Sequence, residues 1–203
     1  MLFKENCLFL ARRCIHCTKR FKNTVSNLCL CLSCHNALKS ACHNSAVTST
    51  YMYTGIIRSL LLRSKVKSDL YAMQILRRLW HDFLQSYPAP VRLSAVVPAP
   101  SSLWGRVRGR FDLGWWLARD AAAIYKVPLL KAPRSVHFNL TKQAQRTSRQ
   151  HCNLLTITTK KDQSKTTILI VDDVITSGET LRKTALIFQS KYNICFFTLA
   201  AGS

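Results

Sequence analysis

Acidic side chains are what this sequence has least of: 203 residues carry 9 Asp+Glu against 30 Lys+Arg. The resulting formal net charge of +21 makes the molecule repel itself. An excess of that size implies a polyanionic partner, nucleic acid first and an anionic membrane second, although generic solubility is the plainer account. The cations are spread from Arg12 to Lys161, which points to a broad surface rather than a basic tail. Long polar tracts are also missing, and with 48% hydrophobic residues the chain reads as folded, not as a disordered segment. No apolar run approaches the ~20 residues a membrane span needs. The opening MLFKENCLFLARRC breaks its apolar stretch with Lys4 and Glu5, unlike a signal peptide. A cytoplasmic protein without a membrane span is expected. No internal repeat is visible.

Composition divides the chain in three. Residues 1–50 hold seven of the nine cysteines, with His, Ser and Asn and little apolar periodicity. Residues 51–90 turn helical: Ile57, Leu60 and Leu61, then Leu76, Leu79, Trp80 and Phe83 recur at three and four, predicting two helices between Thr54 and Ser86. Residues 91–203 alternate. LSAVVP reads as a buried strand, FDLGWWLARDAAAIYK as a helix and VPLL as a short strand; TTILIV is a strand, TLRKTALIFQS a helix and ICFFTLA a final strand. Strands alternating with helices predict an α/β protein with a mostly parallel sheet. Residues 131–165, with eight Lys/Arg against one Asp, read as a long functional loop or flap.

CIHC (Cys14, Cys17) and CLSC (Cys31, Cys34) are two C-x-x-C pairs thirteen residues apart. Each pair can hold one edge of a tetrahedral Zn2+, and two pairs close a four-thiolate, structural site. Disulfides are the competing account, disfavoured by the cytoplasmic reading and the odd total of nine cysteines. Cys29, His16 and His35 lie near enough in sequence to be rival ligands.

The scarcity of acids makes one stretch conspicuous. Three of the nine, Asp172, Asp173 and Glu179, fall within eight residues of TTILIVDDVITSGETL. Ligands of open α/β sheets sit beyond the carboxyl ends of strands, where Asp172 and Asp173 follow TTILIV. The helix start behind them can cradle a phosphate on its unpaired N–H groups. Gly178 would let the backbone approach, and Thr176, Ser177 and Thr180 offer hydroxyls. Carboxylates for sugar hydroxyls beside N–H groups for a phosphate suit a ribose 5-phosphate. The competing account is a capping box, since Thr176 and Glu179 stand in the S/T-x-x-E relation. A Walker-type NTPase is excluded because none of the six glycines precedes a lysine. A response-regulator receiver is excluded because only thirty residues follow Asp173.

ILIVDDVITSGETL resembles the phosphoribosyl-diphosphate signature of type I phosphoribosyltransferases. The resemblance implies that Asp172 and Asp173 hold the ribose hydroxyls, that Thr176, Ser177, Gly178 and Thr180 bind the 5-phosphate, and that Mg2+ bridges diphosphate and ribose. Glu179 replaces a usually small residue. With the cysteine pairs, YTGIIRSLLLRSK and VVPAPSSLWGRVRGRFDLGWWLA, nearly the whole chain resembles the ComF family (competence protein ComF, GntX-like), which serves DNA uptake in bacteria. That resemblance implies a type I phosphoribosyltransferase-like sheet with a small N-terminal zinc module, and a loop of Val97, Pro98, Ala99 and Pro100 facing the diphosphate. A proline-stiffened strand end is the alternative for that loop. Asp112 stands where the family usually has Asn, and the family's later Q…R…N pattern is matched loosely by Gln143, Arg149 and Asn153.

Trp104 lies among Arg106, Arg108 and Arg110, a pairing of stacking surface and phosphate-tracking cations suited to single-stranded DNA. Helical spacing predicts that at least one of Trp115 and Trp116 is a core residue. Two functions are therefore carried forward. One is a DNA-uptake protein binding phosphoribosyl diphosphate and single-stranded DNA, with protein partners of uptake. The other is an active phosphoribosyltransferase acting on a nucleobase or related acceptor.

Overall fold

The computed structural model describes residues 13–20, 30–41, 47–100, 112–131 and 164–202. Trp104, Arg106, Arg108 and Arg110, the segment 132–163 with Gln143, Arg149 and Asn153, and Cys29 lie outside the described residues.

A one-turn helix, α1 (Leu32–Asn36), precedes strand β1 (Val47–Met52), and the two expected helices follow as α2 (Gly55–Lys67) and α3 (Leu70–Ser86). In α2 the buried positions Ile56, Ile57, Leu60, Leu61 and Ser64 recur at helical spacing. The chain reverses at Ser68, in the left-handed region at φ +50. Asp69 then caps α3 by accepting from the amides of Tyr71 (3.0 Å) and Ala72 (3.2 Å). Its other oxygen pairs with Arg63 at 2.6 Å, and Arg63 also donates to the Ile15 carbonyl at 2.6 Å. One ion pair thus fixes the α2–α3 angle and ties both to the cysteine segment.

β2 (Leu93–Pro98), α4 (Leu113–Tyr125), β3 (Thr167–Ile175), α5 (Glu179–Phe188) and β4 (Asn193–Ala201) complete the described elements. All strands run parallel in the order β1-β4-β3-β2, so the expected α/β class with a parallel sheet is what the chain forms. VPLL contributes a parallel bridge, Leu129 to Val96, on the outer edge of β2. Helices cover both faces. Leu169, Val171 and Leu199 pack in one core with residues of α2, α3 and α4, including Trp80 and Leu117, and the Trp80 indole donates to the Leu117 carbonyl at 3.0 Å. Ile168, Ile170 and Phe196 pack in the other with Leu181 and Ala185 of α5.

Two elements depart from expectation. β1 was not anticipated in VTSTYM, because its hydroxyl residues hide the period of two. Ser49 is buried because its hydroxyl meets that of Thr198 at 2.7 Å, so pairing with β4 satisfies what composition alone marks as polar. β3 runs on to Ile175, so Asp172 and Asp173 lie inside the strand rather than after it. Their backbone is held because β4 is equally long, pairing Asp172 with Thr198 and Ile175 with Ala201. Among the described residues no helix is long and apolar enough to cross a membrane.

Candidate functional site

Connections leave β2 and β3 in opposite directions. From β2 the chain passes through α4 to Leu129 on the outer edge; from β3 it passes through α5, on the opposite face, to β4. Neighbouring parallel strands that diverge in this way leave a crevice at their carboxyl ends, the usual ligand position in open α/β sheets. β2 ends with Pro98 opposite Val171, so β3 projects past it from Asp172 onward.

Two carboxylates occupy that projection and a third faces them. Asp172 Oδ1 accepts from the Asp173 amide at 2.8 Å. Asp173 is paired with Lys65 Nζ at 2.7 Å, a lysine from the last turn of α2. Asp112 caps α4 by accepting from the Trp115 amide at 3.0 Å, a task Asp and Asn perform equally well. A side-chain carbon added at Gly114 would lie 3.7 Å from Oδ1 of both Asp112 and Asp172, so these carboxylates flank the start of α4 together. Burial, then the charge of Asp173, pushes the Asp172 carboxyl up to about 8, with Asp112 adding to the effect and the Asp173 amide and Lys65 opposing it. Of the two neighbouring carboxyls, Asp172 is therefore the one that holds a proton more readily, and when protonated it can donate as well as accept.

The following loop settles the capping-box alternative. Gly178, buried and at φ +68, is the residue before α5, and no side chain caps the helix. Thr176 is exposed and Glu179 pairs instead with Lys183 one turn on, so the box is not made. The Glu179 amide has only a long 3.5 Å contact to Ser177 Oγ. Gly is required at 178 because a left-handed backbone there turns the chain from strand to helix. Thr176 and Ser177 are exposed and Thr180 half-buried, so the segment that follows the carboxylates in the chain carries hydroxyls beside the first-turn amides of α5.

The VPAP stretch is the buried end of β2 and the two residues after it. Val97, Pro98 and Ala99 are buried, and the Ala99 amide is committed to the Val171 carbonyl at 2.8 Å. Pro98 and Pro100 have no amide hydrogen. Of these four residues, Ala99 has its amide taken and the two prolines have none to offer.

The cysteine pairs come together. The ligand atoms of Cys14, Cys17, Cys31 and Cys34 all lie within 4.8 Å of one another, with Cys17 Sγ and Cys31 Sγ 3.7 Å apart. Sulfurs ~2.3 Å from one tetrahedral ion would be ~3.8 Å apart, so the cluster could hold a metal ion such as zinc. His16 and His35 are outside it. The first pair sits in a tight knuckle, with the Thr18 amide on the Cys14 carbonyl at 2.9 Å, and the second brackets the start of α1. Burial opposes ionisation of Cys14, but the amides of Cys17, Cys31 and His16 outweigh it and lower its pKa to about 6. Cys34 is driven the other way by burial and by its sulfur neighbours. Four thiols of which one ionises readily and another resists are a donor set that a dication would complete. The cluster belongs to the main core: Cys14, Leu30 and Cys34 share it with Ile57 and Leu60, and a pocket of about 520 Å³ beside them is lined by Cys17, Cys31 and Cys34 together with Thr54–Ile57 at the start of α2.

Neither Trp115 nor Trp116 is a core residue, contrary to the spacing argument: Trp115 is exposed and Trp116 half-buried. Leu113, Leu117, Ala118 and Ala121 fill the buried stripe of α4 instead, and the indoles flank it. Lys65 is the site residue that sequence reasoning missed. Its link to Asp173 spans two elements far apart in sequence, and no local motif announces it. Compared with known proteins, the chain matches no family model and no curated protein.

Proposed function

We propose that this chain binds phosphoribosyl diphosphate with Mg2+ in the crevice between β2 and β3, and single-stranded DNA on its basic surface, as a cytoplasmic DNA-uptake protein of the ComF type that its sequence resembles. The observation that carries the reading is the meeting of Asp172 and Asp173 with the uncapped start of α5 at the point where the sheet's connections diverge. In this reading Asp172 and Asp173 take the ribose hydroxyls, and Thr176, Ser177, Gly178 and Thr180 take the 5-phosphate. Mg2+, when bound, supplies charge neutralisation for the diphosphate. The donor set suits it, since three crowded carboxylates share one lysine. The four-cysteine cluster holds a structural Zn2+ that fastens the N-terminal segment to α2. A charge of +21 exceeds what a small phosphorylated ligand calls for and fits a polyanionic partner.

A second reading is favoured by one feature of the crevice. Asp172, with its pKa pushed up to about 8, can take or give a proton near neutrality, as a transferase needs when an acceptor nitrogen bonds the ribosyl carbon, diphosphate leaves, and the acceptor sheds its proton. Calorimetry with phosphoribosyl diphosphate and Mg2+ tests the shared claim. Binding should weaken at least tenfold when Asp172→Asn and Asp173→Asn are combined, the equivalent of about 1.4 kcal/mol; an unchanged dissociation constant would reduce the loop to a helix start. Diphosphate release in the presence of nucleobases would then favour the transferase over the DNA-uptake reading.

A further inference from the structure

The flank formed by α3 and α4 carries a ladder of cations and indoles. The Arg77 guanidinium lies 4.7 Å from the centre of the Trp116 ring, and that of Arg119 lies 5.0 Å from Trp116 and 5.7 Å from Trp115. The two indoles meet edge to face at 5.4 Å. Part of this is structural. Arg77 is held in a fork by Asp120, at 2.8 and 2.7 Å, which ties α3 to α4, and Arg78 pairs with Asp82 at 3.0 Å.

That account stops short of Trp115 and Arg119. Trp115 is 40% exposed although a buried stripe runs beside it on the same helix. Arg119 is exposed and has no carboxylate at ion-pair distance among the described residues. An open indole beside an arginine that lacks a counter-ion is suited to a ligand with flat rings and phosphates. Duplex bases keep their ring faces stacked, so only a single strand can use both groups. The net charge of +21 supplies the long-range attraction. The ladder also begins beside the crevice, because the Trp115 amide is bonded to Asp112, the carboxylate that flanks Asp172.

We propose that this flank is a docking face for single-stranded DNA, on which bases stack against Trp115 while Arg119 takes a backbone phosphate. The inference rests on the DNA-binding half of the proposed function and assigns a part in it to Trp115 and Arg119 of α4.

The test is fluorescence anisotropy of the full chain with a labelled oligothymidine and with an abasic strand of equal length, each over a salt series. Trp115→Ala should weaken oligothymidine binding roughly 5- to 100-fold without changing the salt slope, and should leave abasic binding unaltered. Trp115→Phe should recover most of the loss, which a collapsed helix could not. Arg119→Gln should reduce the log–log slope by about 0.7 on either strand. Equal losses on both strands for Trp115→Ala, or no loss on either, would overturn the docking face while leaving DNA binding intact. No binding of the unaltered chain at low salt would remove the DNA reading and this inference together.

Discussion

Replacing Asp172 with Asn should make the protein more stable, and increasingly so as pH rises from 6 to 8. In the folded chain the carboxyl is pushed from 3.8 to about 8 by burial and by Asp173. The folded state therefore holds a proton that the unfolded chain has released over the whole range between those values. A group raised in this way contributes stability that is complete below its unfolded pKa and is lost as pH climbs through the folded one. One proton makes the slope at most ~1.4 kcal/mol per pH unit, levelling off above about pH 8. Asn keeps the shape and cannot ionise, so its curve lacks that slope. From pH 6 to 8 the gap in favour of Asp172→Asn should widen by ~1–2 kcal/mol, because solvent at the half-open crevice screens part of the full one-proton effect. For a chain of this size each kcal/mol moves Tm by ~2–4 °C, so the gap should widen by ~2–8 °C. Urea and thermal unfolding of both proteins at pH 6, 7, 8 and 9 measure it, and contributions from the cysteine cluster cancel in the difference. Curves that run parallel across this range, or a variant less stable at pH 8, would show that the carboxyl is already ionised and well solvated.

The purified protein should carry about one zinc per chain, and Cys31→Ser should lose the metal and lower Tm, because metal binding and folding of such a site are one process; metal analysis that finds none in the unaltered chain removes the assignment. Lys65→Met takes away the cation 2.7 Å from Asp173 and should cost ~1–2 kcal/mol in urea unfolding, most of it recovered when Asp173→Asn is added; a cost that the double variant does not relieve would point to lost packing of the lysine stem. Asp69→Ala removes both the cap of α3 and the partner of Arg63 and should cost ~1–3 kcal/mol, against ~0.5 kcal/mol or less for Asp82→Ala, which loses only its i,i+4 pair with the exposed Arg78.

The α/β class and the order of helices and strands after residue 53 were legible because each element carries its own period. Ile57, Leu60 and Leu61 repeat as a helix repeats, and ILIV is an unbroken apolar run, β-branched at three of its four positions, of the kind a strand covered on both faces buries. The cysteine cluster was legible for a similar reason: C-x-x-C is local geometry, and two copies close a tetrahedron wherever the intervening thirteen residues go. β1 escaped because VTSTYM has no apolar alternation; its hydroxyls become acceptable only against Thr198 of β4. The extent of β3 escaped because strand ends are set by the length of the partner.

Sequence by itself determined where chemistry is concentrated, namely the paired carboxylates, the glycine that starts α5 and the four thiols. It also set the excess of charge. These are local or additive properties, readable without knowing what lies nearby. Only the tertiary structure decided what surrounds them. Lys65 reaches Asp173 from a helix more than a hundred residues earlier, Asp112 turns its capping carboxylate beside Asp172, and Trp115 is left outside a core that Leu113 and Leu117 already fill. Each is a non-local contact, fixed by how α2 and α4 lie across the sheet, and the raised pKa of Asp172 exists only because that packing puts like charges together away from water.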